Sequence, residues 1–202
     1  MEENRNSSRS FKKTLLSSAI LSLLLPSFSA LATATYAGGD YEFPSINSSS
    51  TPGNDGIAYI ITDAGTKVTV AGEMALPGIP APIPLKSVVS TTGNEAYAFN
   101  IINQGKLILN YADVSTTNSS KTFNIKSGGS AEIYNADISS GKNGSSVIYV
   151  SDNNSTLLGD DIRISSDATQ AVGIDIRAGA RANISNVNIE LLVDGKRAVS
   201  VE

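Results

Sequence analysis

The stretch Phe123-Asn124-Ile125-Lys126-Ser127-Gly128-Gly129-Ser130-Ala131-Glu132-Ile133-Tyr134-Asn135-Ala136-Asp137-Ile138 restates, in altered form, what stands 24 residues earlier. At that offset Phe99-Asn100-Ile101 lies over Phe123-Asn124-Ile125, Gly105 over Gly129, Leu107 over Ala131, Leu109 over Ile133, and Ala112-Asp113-Val114 over Ala136-Asp137-Ile138. The pattern returns as Ile174-Asp175-Ile176, Ala180, Ala182-Asn183-Ile184 and Val187-Asn188-Ile189, 75 residues from the first row. A looser copy runs through Ile148-Tyr149-Val150, Leu157-Leu158 and Asp161-Ile162, and Val199-Ser200-Val201 begins another. Upstream, Tyr59-Ile60-Ile61, Gly65 and Val68-Thr69-Val70 form a fainter one.

Within each copy, apolar residues alternate with polar ones in bursts of three to five, which is the period of a strand. Clusters such as Ser127-Gly128-Gly129-Ser130 and Gly141-Lys142-Asn143-Gly144 separate the bursts and supply turns and positive-φ positions. Three short strands fit each copy of about 24 residues, and a period in the twenties points to a solenoid. Leucine-rich repeats need a fixed asparagine and several leucines per repeat, which are missing here. The remaining expectation is an all-β chain, a parallel β-helix in which each copy is one coil and identical positions stack about 4.8 Å apart. Phe99 over Phe123 and Ala112 over Ala136 are then inward ranks, and the test is whether they lie in adjacent, paired, parallel strands.

Working outward, the 202 residues contain no cysteine and no histidine. That excludes disulfides, thiolate nucleophiles, imidazole bases and every His- or Cys-ligated metal site. Residues 1–37 read as a signal peptide. A basic region ending Arg9…Lys12-Lys13 precedes the uncharged run Thr14 to Leu25, Pro26 breaks the helix, and A-x-A spacing offers cleavage after Ala32, Ala34 or Ala37, of which Ala37 is favoured. Removing that leader leaves 11 basic and 17 acidic side chains (15 less 4, and 19 less 2), a net of −6, which argues against nucleic acid as a partner. Residues 38–57 are rich in Gly, Ser and Asn and read as an irregular mature N-terminus, so the β-helix is expected over 58–202 with its clearest repeats in 96–202. The proline-rich segment 77–84 reads as an extended loop interrupting the first coils, because its prolines cannot donate to a ladder.

Candidate chemistry is sparse. Asp113, Asp137 and Asp161, followed by Asn188, are expected at one place in successive coils, where neighbouring carboxylates in water repel by just under ~1 kcal/mol. A solvated ladder is the plain reading, and a calcium or glycan contact is the functional one. Asp160 and Asp161 are expected on opposite strand faces and so unable to flank one glycosidic bond. Tyr97, Tyr111, Tyr134 and Tyr149 form either packing contacts or a sugar-stacking surface. Lys106, Lys121, Lys126, Lys142, Arg163, Arg177 and Arg181 are expected not to line up beside the Asp column. No catalytic, cofactor-binding or metal-binding residue is assigned, and no enzyme activity is expected.

The copies 123–138 and Ile176-Arg177-Ala178-Gly179-Ala180-Arg181-Ala182-Asn183-Ile184 resemble the passenger domains of bacterial autotransporters, the type V secretion class that includes pertactin-like adhesins. The resemblance covers roughly residues 86–202 plus the leader. It implies a right-handed β-helix carried to the cell surface by a C-terminal β-barrel of the same chain. Its implied role is adhesion or other virulence-related contact, with host or bacterial surface glycans or proteins as partners. The chain ends at Glu202 without alternating ten-residue barrel strands. The expectation is therefore an N-terminal fragment, at the cell surface or secreted when full length and periplasmic when truly truncated. An uncapped last coil should make the isolated chain aggregation-prone. The alternatives are a carbohydrate-active β-helix enzyme, which needs Asp, Lys and Arg converging on a groove, and an inert spacer.

Overall fold

The computed structural model describes residues 33–50, 57–76, 79–92, 96–117, 121–141, 146–192 and 196–202. Among them there is no helix, and so none long and apolar enough to cross a membrane. The chain winds as a parallel β-solenoid. The first turn is β1 (Ala34–Ala37), β2 (Asp40–Phe43) and β3 (Asn47–Ser50). The second is β4 (Ile57–Thr62), β5 (Lys67–Val70) and β8 (Ser87–Thr92), with the short pair β6 (Glu73–Met74) and β7 (Ile83–Pro84) projecting between β5 and β8. Four regular turns follow, β9 (Tyr97–Ile101) with β10 (Lys106–Thr117), β11 (Phe123–Ile125) with β12 (Ser130–Ser140), β13 (Ser146–Ser151) with β14 (Thr156–Ser166), and β15 (Val172–Arg177) with β16 (Arg181–Leu191). Strand β17 (Arg197–Val201) opens a seventh.

Two sheets run the length of the rod. One has the order β1-β4-β9-β11-β13-β15-β17, and the other stacks β16-β14-β12-β10 onto β5-β2 and β8-β3. Every pairing in them is parallel. The long strands are bent halfway at Tyr111, Asn135, Asp161 and Asn186, each with φ near 50°. Those bends divide each long strand into two faces, so the expected three short strands per coil are present. Phe99 pairs with Phe123 and Ala112 with Ala136 in parallel register, as the repeat required.

The core is the column structure made solid. Rings of Tyr59, Phe99 and Phe123 stack at 5.2 and 5.0 Å with planes 17° and 16° apart. Ile148, Ile174 and Val199 continue the column in the later coils. Leu107, Ala131 and Leu157 form a second inward rank, and Ala112, Ala136 and Ile162 a third, all buried. Each inward residue rests on its own equivalent one coil away, which is why a tolerant sequence repeat still yields close packing.

Three expectations need correction. Residues 38–57 are not irregular throughout: Asp40–Phe43 and Asn47–Ser50 pair in register with β5 and β8, because Tyr41 and Phe43 alternate inward despite their polar neighbours. The solenoid therefore begins before residue 58, at β1. The segment 77–84 is more than a loop in its described part, since Ile83–Pro84 pairs antiparallel with Glu73–Met74; Pro77 and Gly78 lie outside the described residues. The step from Tyr59 to Phe99 is 40 residues where other coils use 24 to 26, and this excursion fills the difference. It leaves the corner that single left-handed residues occupy in later coils. At its root Gly72 has φ 74°, and a Cβ there would stand 2.6 Å from the Asn110 carbonyl oxygen and 2.8 Å from Tyr111 Cβ, so only glycine fits.

The third correction is register. Asp137 pairs with Arg163, not Asp161, and Arg163 pairs with Asn188. One residue is added between β12 and β13 and another between β13 and β14, making this step 26. Asp161 stands at the bend column with Tyr111, Asn135 and Asn186.

Candidate functional site

The excursion makes the site. Its β6–β7 pair leans over the bend column and encloses a cleft of about 490 Å³ whose wall includes Glu73, Pro82, Pro84 and Lys86. The floor is supplied by the coils, chiefly Tyr111, Asn135, Asp137, Asp161 and Arg163. A smaller groove of about 340 Å³ continues from it along the neighbouring face, sharing Asp137 and Arg163 and running past Asp113, Asn188 and Glu190.

Part of the charge in and beside the cleft is paired. Lys86 reaches Asp113 Oδ1 at 2.6 Å and Asp137 Oδ2 at 3.3 Å. Arg163 Nη1 lies 3.6 Å from Asp137 Oδ1. The hydrogen bond to Asp113, reinforced by Asp137, raises the Lys86 ammonium above its ordinary value of 10.5. The repulsion expected between stacked Asp113 and Asp137 is thus offset by one lysine from the excursion. The next coil places a guanidinium where a third carboxylate was expected. Of the seven basic residues expected not to line up beside the Asp column, Arg163 alone pairs into it, opposite Asp137, and Lys142 lies outside the described residues; Lys86, outside that set, reaches the column from the excursion.

The bend also overturns the opposite-face expectation for Asp160 and Asp161. A left-handed residue breaks the pleat, so two successive side chains lie outside the core there. Asp160 accepts hydrogen bonds from Ser185 Oγ at 2.7 Å and Asn186 Nδ2 at 2.8 Å, which lower its pKa from 3.8. A carboxylate so held is a poor proton donor near neutrality. Because the folded-state pKa is lowered, the stabilisation is present above the unfolded value and is lost as pH falls through the folded one. The Tm advantage of the native chain over Asp160→Asn should therefore be present at pH 7, shrink below about pH 4 and vanish in stronger acid. A thermal-melt series across that range checks it, and an unchanged gap counts against the assignment.

The tyrosines separate. Tyr111 lies in the cleft with 38% of its surface exposed, and the Lys86 ammonium sits 5.6 Å from its ring centre. Tyr97 and Tyr149 belong to the first sheet, where Lys121 lies 5.9 and 4.2 Å from their rings. Tyr134 pairs with Asn110 and Asp160 beside the bend, donates to Glu132 at 3.3 Å and is not among the residues lining the cleft. They do not form one stacking surface; Tyr111 alone is in the cleft. Outside the cleft, Asn124 donates to Asn100 at 2.7 Å, and buried Asp175 is held by Ser146 at 3.0 Å and Arg177 at 2.9 Å, both satisfied structural contacts. No group of three or more acidic residues among those described is placed to hold a metal ion.

Lys86 and Arg163 are the site residues that the sequence did not point to. The available signal for Arg163 was the apolar pattern of the fifth coil: a step of 26 sets Ile162 and Ile164 over inward Ala136 and Ile138, whereas a step of 24 buries Asp160. No family model, curated protein or solved structure matches the chain.

Proposed function

We propose that the chain is an exported, passenger-like β-helix that acts without catalysis as a scaffold for surface contact. Its cleft beneath the proline excursion takes a hydroxyl-rich glycan. The observation that carries this reading is the cleft itself: an exposed tyrosine ring on a rigid parallel floor, ringed by carboxylate, amide and guanidinium groups. Such a ring accepts the C–H face of a sugar, and carboxylates and amides match its hydroxyls. The leader-like residues 1–37 and the autotransporter-like repeats support export.

Against catalysis stand the charge pairings. Asp113 and Asp137 are engaged by Lys86, and Asp160 is held ionised, whereas glycoside hydrolysis needs one carboxyl with a raised pKa. A carbohydrate-active enzyme remains the second reading for one specific reason: Asp137, Lys86 and Arg163 converge at one cleft. Screening soluble oligosaccharides for binding and for new reducing ends separates the two. Binding without cleavage is expected, weakened at least tenfold, about 1.4 kcal/mol, by Tyr111→Ala with the strand signal in circular dichroism unchanged. Unchanged binding in that variant removes the cleft from the reading, and release of reducing ends replaces the scaffold with an enzyme. Gene sequence downstream of Glu202 encoding a barrel would support the passenger assignment.

A further inference from the structure

We infer that the leader is cut after Ala32, so that the exported chain begins at Thr33 and keeps β1 as its first strand. This rests on the export reading and goes beyond it by choosing among three A-x-A sites. Hydrolysis by a host signal peptidase adds water across the Ala32–Thr33 peptide bond, leaving a carboxylate on Ala32 and a free amine on Thr33.

The choice follows from what β1 does. Ala34–Ala37 pairs with Tyr59–Thr62 and covers the edge of β4 that would otherwise be bare. Tyr36 closes the open end of the core: its ring lies 4.9 Å from Tyr41, 5.6 Å from Phe43 and 6.4 Å from Tyr59. Burial raises the Tyr36 phenol above its ordinary 10.0. Tyr41 donates its hydroxyl to the Ala37 carbonyl at 3.1 Å.

The corner after β1 gives independent support. Gly38 and Gly39 have φ of 66° and 121°, the Gly38 amide donates to Thr66 Oγ1 at 2.6 Å, and the Gly39 carbonyl accepts from Lys67 at 3.0 Å. That is a coil corner with a strand on each side, equivalent to the turn between β4 and β5. A chain beginning at Gly38 has no strand entering it, and one beginning at Thr35 loses the Ala34–Tyr59 pair. Only the cut after Ala32 leaves the whole element.

The test is the intact mass of the full chain after export in a Gram-negative host. A mass beginning at Thr33 is expected. A mass beginning at Thr35 or Gly38 overturns the inference and leaves export standing, whereas a product that stays inside and retains Met1 overturns the export reading with it. The physical reason has its own check in leaderless chains begun at Thr33 and at Gly38. The shorter one should melt at least about 5 °C lower, and Tyr36→Ala in the longer one should lower Tm in the same direction. Equal melting temperatures overturn the role given to β1.

Discussion

Phe123→Ala should lower the unfolding free energy by about 3–5 kcal/mol, the largest effect expected of any single truncation here. The side chain is fully buried, its ring packs 5.0 Å from Phe99, and its register partner on the other side is Ile148. Removing it takes ring burial away and leaves a void between two coils whose backbones are pinned by sheet pairing. The surroundings therefore collapse little, and the cavity cost adds to the transfer cost. Equilibrium denaturation with urea measures it. Phe123→Leu should recover most of the loss, and a loss below about 1 kcal/mol in Phe123→Ala would mean that the column is not the source of stability. Propagation is part of the expectation. Because each coil is the template for the next, loosening the fourth should lower protection from hydrogen exchange in β9 and β13 before it reaches β16.

Gly129→Ala should cost about 1–3 kcal/mol by overpacking rather than by loss. Gly129 ends a corner, where its own amide donates to the Lys126 carbonyl at 3.0 Å and its carbonyl accepts from Thr156 at 3.0 Å. A Cβ at this position runs into the Ile101 carbonyl oxygen of the previous coil, a backbone atom that cannot swing away. Gly105 is equivalent, with its Cβ position 2.6 Å from the Ile61 carbonyl oxygen. One coil later the equivalent residue is Ser155, reached by a corner one residue longer, and its hydroxyl accepts from the Gly128 amide at 3.1 Å. Ser155→Gly should therefore bring no relief, while Gly129→Ala lowers Tm by several degrees. If the alanine variant melts with the parent chain, the corners are not as close as described.

The two glycines show what repetition in a sequence can reveal. Gly105 over Gly129 is a match visible in the bare string of residues, and the reason for it is a contact that recurs once per coil. The same holds for Phe99 over Phe123. A solenoid writes its tertiary contacts at a fixed sequence offset, so ranks that elsewhere need a three-dimensional map are visible in one dimension.

The candidate site is much less legible, and Asp161 shows why. A slip of two residues in register preserves the inside-outside alternation of a strand, since the pleat has period two. Alternation within Ile162-Arg163-Ile164 alone therefore cannot tell a step of 24 from one of 26; only the burial of Asp160 opposite Ala136 that a step of 24 imposes separates them, and the visually matching aspartate is the wrong partner for Asp137. Lys86 is hidden for another reason. It lies at the end of an excursion that has no counterpart in the other coils, so no repeat argument reaches it, and its contact with Asp113 and Asp137 exists only once the excursion folds back over the rod. The early strands escape a reading by composition because β2 and β3 carry just two aromatic residues between them among Asp, Glu, Asn and Ser. Their order comes from the template surface of β5 and β8, not from local preference.

The sequence by itself determined the all-β class, the coil of about 24 residues, the turn-rich corners and the inward ranks, because all of these depend on periods of two and about 24 that survive substitution. Only the tertiary structure decided which residues meet across coils where the step changes, that residues 34–50 complete a first turn, and that Lys86, Tyr111, Asp137 and Arg163 share a cleft. Those outcomes depend on lateral pairing between segments far apart in the chain. The energy of that pairing resides in stacked backbones and buried neighbours, and it outweighs what each short segment prefers alone.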